Sequence, residues 1–110
     1  MVTDIETVNR IVRQYINEVK AKIPIDKVYI YGSYAKGTYN DDSDVDICFF
    51  SENFASRRTW DVLSELFYIK TKYDKDLLIE PNAFPTSEIE NDNPFVKEIL
   101  NTGREILLEE

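Results

Sequence analysis

Asp44 and Asp46 are the residues whose type and spacing most directly suggest chemistry. If they lie on a strand, side chains two apart point to the same face. Two carboxylates on one face repel each other unless a cation lies between them. Mg²⁺ fits, because it takes one or two carboxylates and fills its other positions with water and substrate phosphates. Asp is poor in strands, yet the next residues are the apolar run Ile47-Cys48-Phe49-Phe50. An acidic pair at the mouth of a buried strand suits a site better than a polar strand end, although Asp-x-Asp alone is a weak signal. Gly32-Ser33 is the second feature. Glycine lets the chain turn sharply and lets a phosphate approach the backbone. A short helix beginning at Ser33 would aim backbone N–H groups at an anion, and the Ser33 hydroxyl could donate to a phosphate oxygen. Ten residues separate Ser33 from Asp44, so a phosphate cradle and a cation site could face one nucleotide.

The elements that must position these residues can be read from periodicity. Thr3-x-x-Glu6 has the form of a capping box, and Ile5, Val8, Ile11, Val12, Tyr15, Ile16 and Val19 recur at helical spacing until Pro24. Lys27 to Tyr31 is rich in β-branched and aromatic residues and reads as a strand ended by Gly32. A polar stretch leads to a second strand, Asp44 to Phe50. Ser56 is expected to cap a helix running to about Lys72, with Trp60, Leu63, Leu66, Phe67 and Ile69-Lys70 on its core face. Asp76 to Glu80 reads as a third strand ended by Pro81. Asn93-Pro94 opens a last helix, Gly103 suits a left-handed residue after it, and Glu105 to Leu108 reads as a terminal strand. This order predicts a single α/β (α+β) domain over residues 1–110, with helices packed on one sheet.

The extended pattern Gly32-Ser33-x10-Asp44-x-Asp46, embedded in Gly-Ser-Tyr-Ala-Lys-Gly and Ser-Asp-Val-Asp, resembles the nucleotidyltransferases of the DNA polymerase beta superfamily. It is most similar to the minimal nucleotidyltransferases, stand-alone domains of about this length. The resemblance implies a mixed sheet with helices packed on it. It also implies a nucleotide held by Gly32, Ser33 and Ser43, and a catalytic, metal-binding triad of Asp44, Asp46 and a third acid on a later strand. Asp76 is the candidate third acid; Glu80, on the same strand face, is the first alternative and Asp74 the second. The implied reaction is attack of a hydroxyl on the α-phosphorus of ATP, assisted by two Mg²⁺ ions, with pyrophosphate leaving. Minimal nucleotidyltransferases are often encoded beside helical HEPN-type proteins, frequently RNA-cutting toxins. That implies an antitoxin which adenylylates a tyrosine on its toxin partner. The alternatives are a non-catalytic module that masks a partner's surface, and a small-molecule adenylyltransferase.

Composition narrows the field further. With 13 basic and 21 acidic residues the chain carries a net charge of −8. Non-specific nucleic-acid binding is therefore disfavoured, while a basic partner protein would be complementary. No histidine is present, which excludes histidine triads and histidine-held metals. The single cysteine, Cys48, lies in an apolar run and is expected to be buried and inert. No stretch reaches the length of a membrane span, and the first residues lack a signal-peptide pattern, so a cytoplasmic protein is expected. Lacking a second domain for the acceptor, the chain is expected to rely on a partner protein or on homo- or hetero-oligomerisation.

Overall fold

The computed structural model describes residues 5–40, 44–74 and 77–108. Thr3 of the expected capping box lies outside them, but the helix it would open is present. Helix α1 (Ile5–Lys22) buries Val8, Val12, Tyr15, Ile16 and Val19, the face its periodicity predicts. Strand β1 (Lys27–Tyr31) leads into the single-turn helix α2 (Ser33–Lys36). Strand β2 (Val45–Phe50) starts one residue after Asp44. Helix α3 (Thr59–Lys70), strand β3 (Ile79–Phe84), helix α4 (Pro94–Thr102) and strand β4 (Arg104–Ile106) follow. The four strands form one sheet in the order β3-β2-β1-β4. Strands β2 and β3 are parallel, and the other pairs are antiparallel.

Strand alternation divides the core between the two sheet faces. Val28, Ile30, Val45, Ile47, Phe49, Ile79 and Ala83 pack on one side with α1 and α3. On the other side, Cys48 and Phe50 pack with Val96 and Ile99 of α4. Tyr15 anchors the first layer: its buried hydroxyl donates to Leu66 O at 3.0 Å, and its ring meets Phe49 edge-on at 5.7 Å. Burial, followed by the nearby charge of Asp74, pushes its phenol above the ordinary range. Helix α4 begins as expected, with Asn93 Oδ1 accepting from Phe95 N and Val96 N and Pro94 in the first turn.

Four expectations need correction. The segment before α3 is a 3₁₀ helix, Glu52–Ser56, capped by Ser51. Arg57 and Arg58 are extended, so α3 starts at Thr59 and not at a Ser56 cap. Helix α3 buries Val62, Leu66, Ile69 and Lys70, which rotates Trp60 (78% exposed) and Phe67 (39%) away from the core. The third strand runs through Pro81 to Phe84. It lies at the sheet edge, where a residue without an N–H is tolerated. Gly103 is extended, with φ −85° and ψ 175°; glycine is needed there because a Cβ would lie 2.5 Å from Ile99 O and 2.9 Å from Ile30 O. Strand β4 accordingly begins at Arg104.

One polar cluster ties α1 to the turn after α3. Glu18 accepts from Lys22 Nζ (2.8 Å), Lys72 Nζ (2.6 Å) and the Tyr73 hydroxyl (2.5 Å). Those three bonds favour the carboxylate and lower its pKa to about 2 from 4.5. A depressed carboxyl pKa stabilises the fold above the unfolded value, and that contribution fades as pH falls through the folded one. Glu18→Gln should therefore lower the melting temperature by a few degrees at pH 7. In thermal melts the gap to wild type should close as pH drops from about 4.5 toward about 2.

Candidate active site

The site forms where β1 ends and β2 begins. Gly32 has φ 72° and ψ −151°, a conformation essentially restricted to glycine. A Cβ there would collide with Asp46 Oδ2 and lie 3.3 Å from Asp46 Cγ. The Gly32 backbone and the Asp46 carboxylate are thus in direct apposition, and a Cβ at this position would force the carboxylate to move. Helix α2 turns the chain away, closed by Ala35 N and Lys36 N donating to Gly32 O at 3.1 Å. Gly37 ends it in the left-handed region, with φ 78° and its N–H on Ser33 O.

Register sets the rest. Asp46 pairs with Tyr31 of β1 on one side and with Glu80 of β3 on the other. Paired residues on adjacent strands share a face about 4.8 Å apart, so Glu80 lies beside Asp46. All of Asp44, Asp46 and Glu80 are partly buried. Burial raises the Asp46 pKa first, and the charges of Asp44 and Glu80 raise it further. A carboxylate pressed by two others gains from a cation. Among the described residues no three acidic or cysteine side chains converge closely enough to form a ready-made cage. The acids stand as an open row along the end of the sheet.

This row bears on each predicted residue. Gly32 lies against Asp46, the charge of Asp44 acts on Asp46, and Ser33 opens α2 directly after Gly32. Ser43 and Asp76 lie outside the described residues. Of the two alternatives to Asp76, Glu80 faces Asp46. Asp74 is committed elsewhere, with Oδ2 at 2.7 Å from the buried Lys70 ammonium and Oδ1 accepting from Ile79 N at 3.2 Å. That pair of contacts fixes where β3 starts and hence where Glu80 stands. Val45 N, donating to Leu78 O at 2.9 Å, locks the same junction from β2.

The flanking residues sort by contact. Tyr34 is in the core and stacks on Tyr39, with centroids 4.5 Å apart. Lys36 is exposed. Arg57 and Arg58 form surface pairs with Glu65 (2.9 Å) and Asp61 (3.2 Å). Tyr31, by contrast, borders the acidic row. Its hydroxyl accepts from Asn82 Nδ2 at 3.3 Å, and its ring meets Phe95 edge-on at 5.8 Å. Asn82 was hidden from sequence reasoning because Pro81 reads as a strand end. Cys48 lies buried in the next row, and burial holds its thiol protonated.

The fold agrees with what similar proteins show. A family model for the nucleotidyltransferase domain matches residues 12–106. The chain belongs to the nucleotidyltransferase domain family. A curated relative of this nucleotidyltransferase is the "Putative protein adenylyltransferase MJ1305" of Methanocaldococcus jannaschii, 30% identical over 112 aligned positions. The match covers 94% of the chain and 74% of the relative. A crystal structure described as a "putative nucleotidyltransferase" from Sulfolobus solfataricus superposes with a TM-score of 0.58 at 24% identity. It covers 74% of this chain and 69% of that one, and it supports the fold.

The two positive-φ glycines give a paired test. A Cβ at Gly37 would meet no atom within 4 Å, so Gly37→Ala should cost about 1–2 kcal/mol of backbone strain and leave nucleotide transfer within a few-fold of wild type. Gly32→Ala adds the collision with Asp46. Its transfer rate should fall at least ~10-fold below that of Gly37→Ala at matched folded fraction, measured by single-turnover kinetics alongside circular dichroism.

Proposed function

We propose that this nucleotidyltransferase moves AMP from Mg²⁺-bound ATP onto a hydroxyl of a partner protein, a tyrosine of a HEPN-type helical toxin being the acceptor. The observation that carries the reading is the Asp44, Asp46 and Glu80 row abutting Gly32. The donor set suits a hard cation: it is all carboxylate oxygen, the chain has no histidine, and its only thiol is buried. A protein acceptor is supported by the name of the M. jannaschii relative. The net charge of −8 would match a basic partner surface.

In this reading Asp44 and Asp46 hold the cation, which when bound neutralises the triphosphate and polarises the α-phosphorus. Gly32 leaves room for the phosphates, and the Ser33 hydroxyl donates to one of their oxygens. Glu80, beside Asp46, orients the acceptor hydroxyl and takes its proton. The acceptor oxygen bonds to the α-phosphorus as the bond to the β-phosphate bridging oxygen breaks, releasing pyrophosphate. These are positioning and charge effects, which suffice for phosphoryl-type transfer without a covalent enzyme intermediate.

Incubation with α-labelled ATP, Mg²⁺ and the partner should place the label on a partner tyrosine, and EDTA should prevent it. Asp44→Asn combined with Asp46→Asn should cut labelling by ~10³-fold or more while the domain stays folded. If the double variant neutralises the partner as well as wild type does, the protein is a masking module. Glu80→Gln and Asp76→Asn, compared in the same assay, identify the third acid: the larger loss is expected for Glu80→Gln, by ~10²-fold or more.

A further inference from the structure

An aromatic cluster borders the acidic row. Burial alternates along β3, and Glu80, Asn82 and Phe84 stand partly exposed on the face that α4 shares. Phe95, in the first turn of α4, lies over this face. Its ring meets Tyr31 edge-on at 5.8 Å and Phe84 at 5.8 Å with a 48° tilt. Tyr31 is itself held by Asn82 Nδ2, 3.3 Å from its hydroxyl oxygen. Two ring contacts thus fix Phe95, yet it stays 44% exposed. We propose that Phe95 sets acceptor specificity: its exposed ring, backed by Tyr31 and Phe84, seats an aromatic side chain whose phenolic hydroxyl meets the acidic row. In the transfer reading above, on which this rests, Phe95 is what makes a tyrosine the preferred hydroxyl.

Three observations select an aromatic hydroxyl. The first is the side of attack. In-line displacement puts the attacking oxygen opposite the departing pyrophosphate. With the phosphates against Gly32 at the end of β1, attack comes from the β3 side of Asp46, where Glu80 stands. Asn82 and Phe84 continue that strand face in steps of about 6.7 Å, and Phe95 rests on Phe84. The second is depth. Asp46, Glu80 and Tyr31 are partly buried, whereas Phe95 is exposed. A tyrosine hydroxyl stands one ring length farther from its backbone than a serine or threonine hydroxyl. It can therefore pass Phe95 and reach the acids, while a short aliphatic hydroxyl on a folded partner stops above them. The third is contact. Among the described residues with an exposed ring, Phe95 is the one that packs on Tyr31, the β1 residue paired with Asp46.

A ring laid against a fixed ring gains contact area and an edge-to-face attraction that an aliphatic side chain lacks. One such contact sets a preference of about 10-fold, and the reach of the phenol adds to it. Adenine is the competing occupant of the same ring, and steady-state kinetics separate the two: loss of the seat acts on KM for the acceptor, loss of an adenine contact on KM for ATP.

The test uses the full chain with Mg²⁺, α-labelled ATP and two small acceptors, N-acetyl-tyrosinamide and N-acetyl-serinamide. Wild type should favour the tyrosine compound by ~10²-fold or more in kcat/KM. Phe95→Ala should lower that preference about 10-fold through KM for the tyrosine compound, with KM for ATP within about 2-fold of wild type. Phe95→Tyr, which keeps a ring, should restore it. Equal use of both acceptors by wild type would overturn the proposal, as would an unchanged preference in Phe95→Ala. A rise in KM for ATP with the acceptor preference intact would place adenine on the ring and overturn it too. A binding measurement separates this seat from the transfer reading beneath it. In nuclear magnetic resonance titrations, N-acetyl-tyrosinamide should shift the Phe95 ring protons saturably in the millimolar range, and N-acetyl-serinamide should leave them unmoved. Shifts without transferred label keep the seat and reject the transfer reading. Label on N-acetyl-tyrosinamide without shifts rejects the seat alone, and neither label nor shifts rejects both.

Discussion

The structure turns on the contact between a backbone and a carboxylate. At the end of β1 the chain passes so close to Asp46 that a Cβ would displace its carboxylate, in a conformation only glycine holds readily. Asp46 is at the same time half withdrawn from water and pressed by Asp44 and Glu80. Each condition raises the free energy of the ionised carboxylate. In the proposed function a bound cation would relieve both, and a triphosphate beside Gly32 would supply the remaining ligands that a hard cation needs.

The sheet exists in a form that serves this contact. Antiparallel pairing of β1 with β2 brings Gly32 to Asp46, while parallel pairing of β2 with β3 brings Glu80 to its other side. Two helices cover one face of the sheet, and α4 covers only part of the other. Among the described residues no helix covers the acidic end, which is bordered by Tyr31, Asn82 and Phe95. At the far end Asp26 accepts from Glu52 N at 3.0 Å and from the Thr86 hydroxyl at 2.5 Å, fastening the two connecting turns away from the site. Lys70 and Asp74 play the corresponding part at the start of β3, so a buried ion pair decides where Glu80 stands.

Much of this was legible in the sequence because it depended on local rules. The α1 periodicity, the β1 composition, the Asn93-Pro94 start of α4 and the Gly-Ser-x10-Asp-x-Asp motif each rest on neighbours in the chain. What escaped depended on the sheet. Pro81 looks like a strand end until β3 is known to be an edge, and only then does Glu80 come into register with Asp46. Trp60 looks like core until the α3 face is fixed by what it packs against; Val62 takes that place beside Leu66 and Ile69, which the periodicity does put inside. Gly103 looks like a left-handed cap, but its role is to let α4 end against Ile30 O. Ser43 and Asp76 lie outside the described residues, so only the family resemblance speaks for them.

Titration calorimetry of ATP into the isolated protein, with Mg²⁺ and then with EDTA, tests the central claim most directly. An acidic row that grips a triphosphate only through a cation predicts saturable heat in Mg²⁺ and none in EDTA. Equal uptake under both conditions, or no uptake under either, would contradict it.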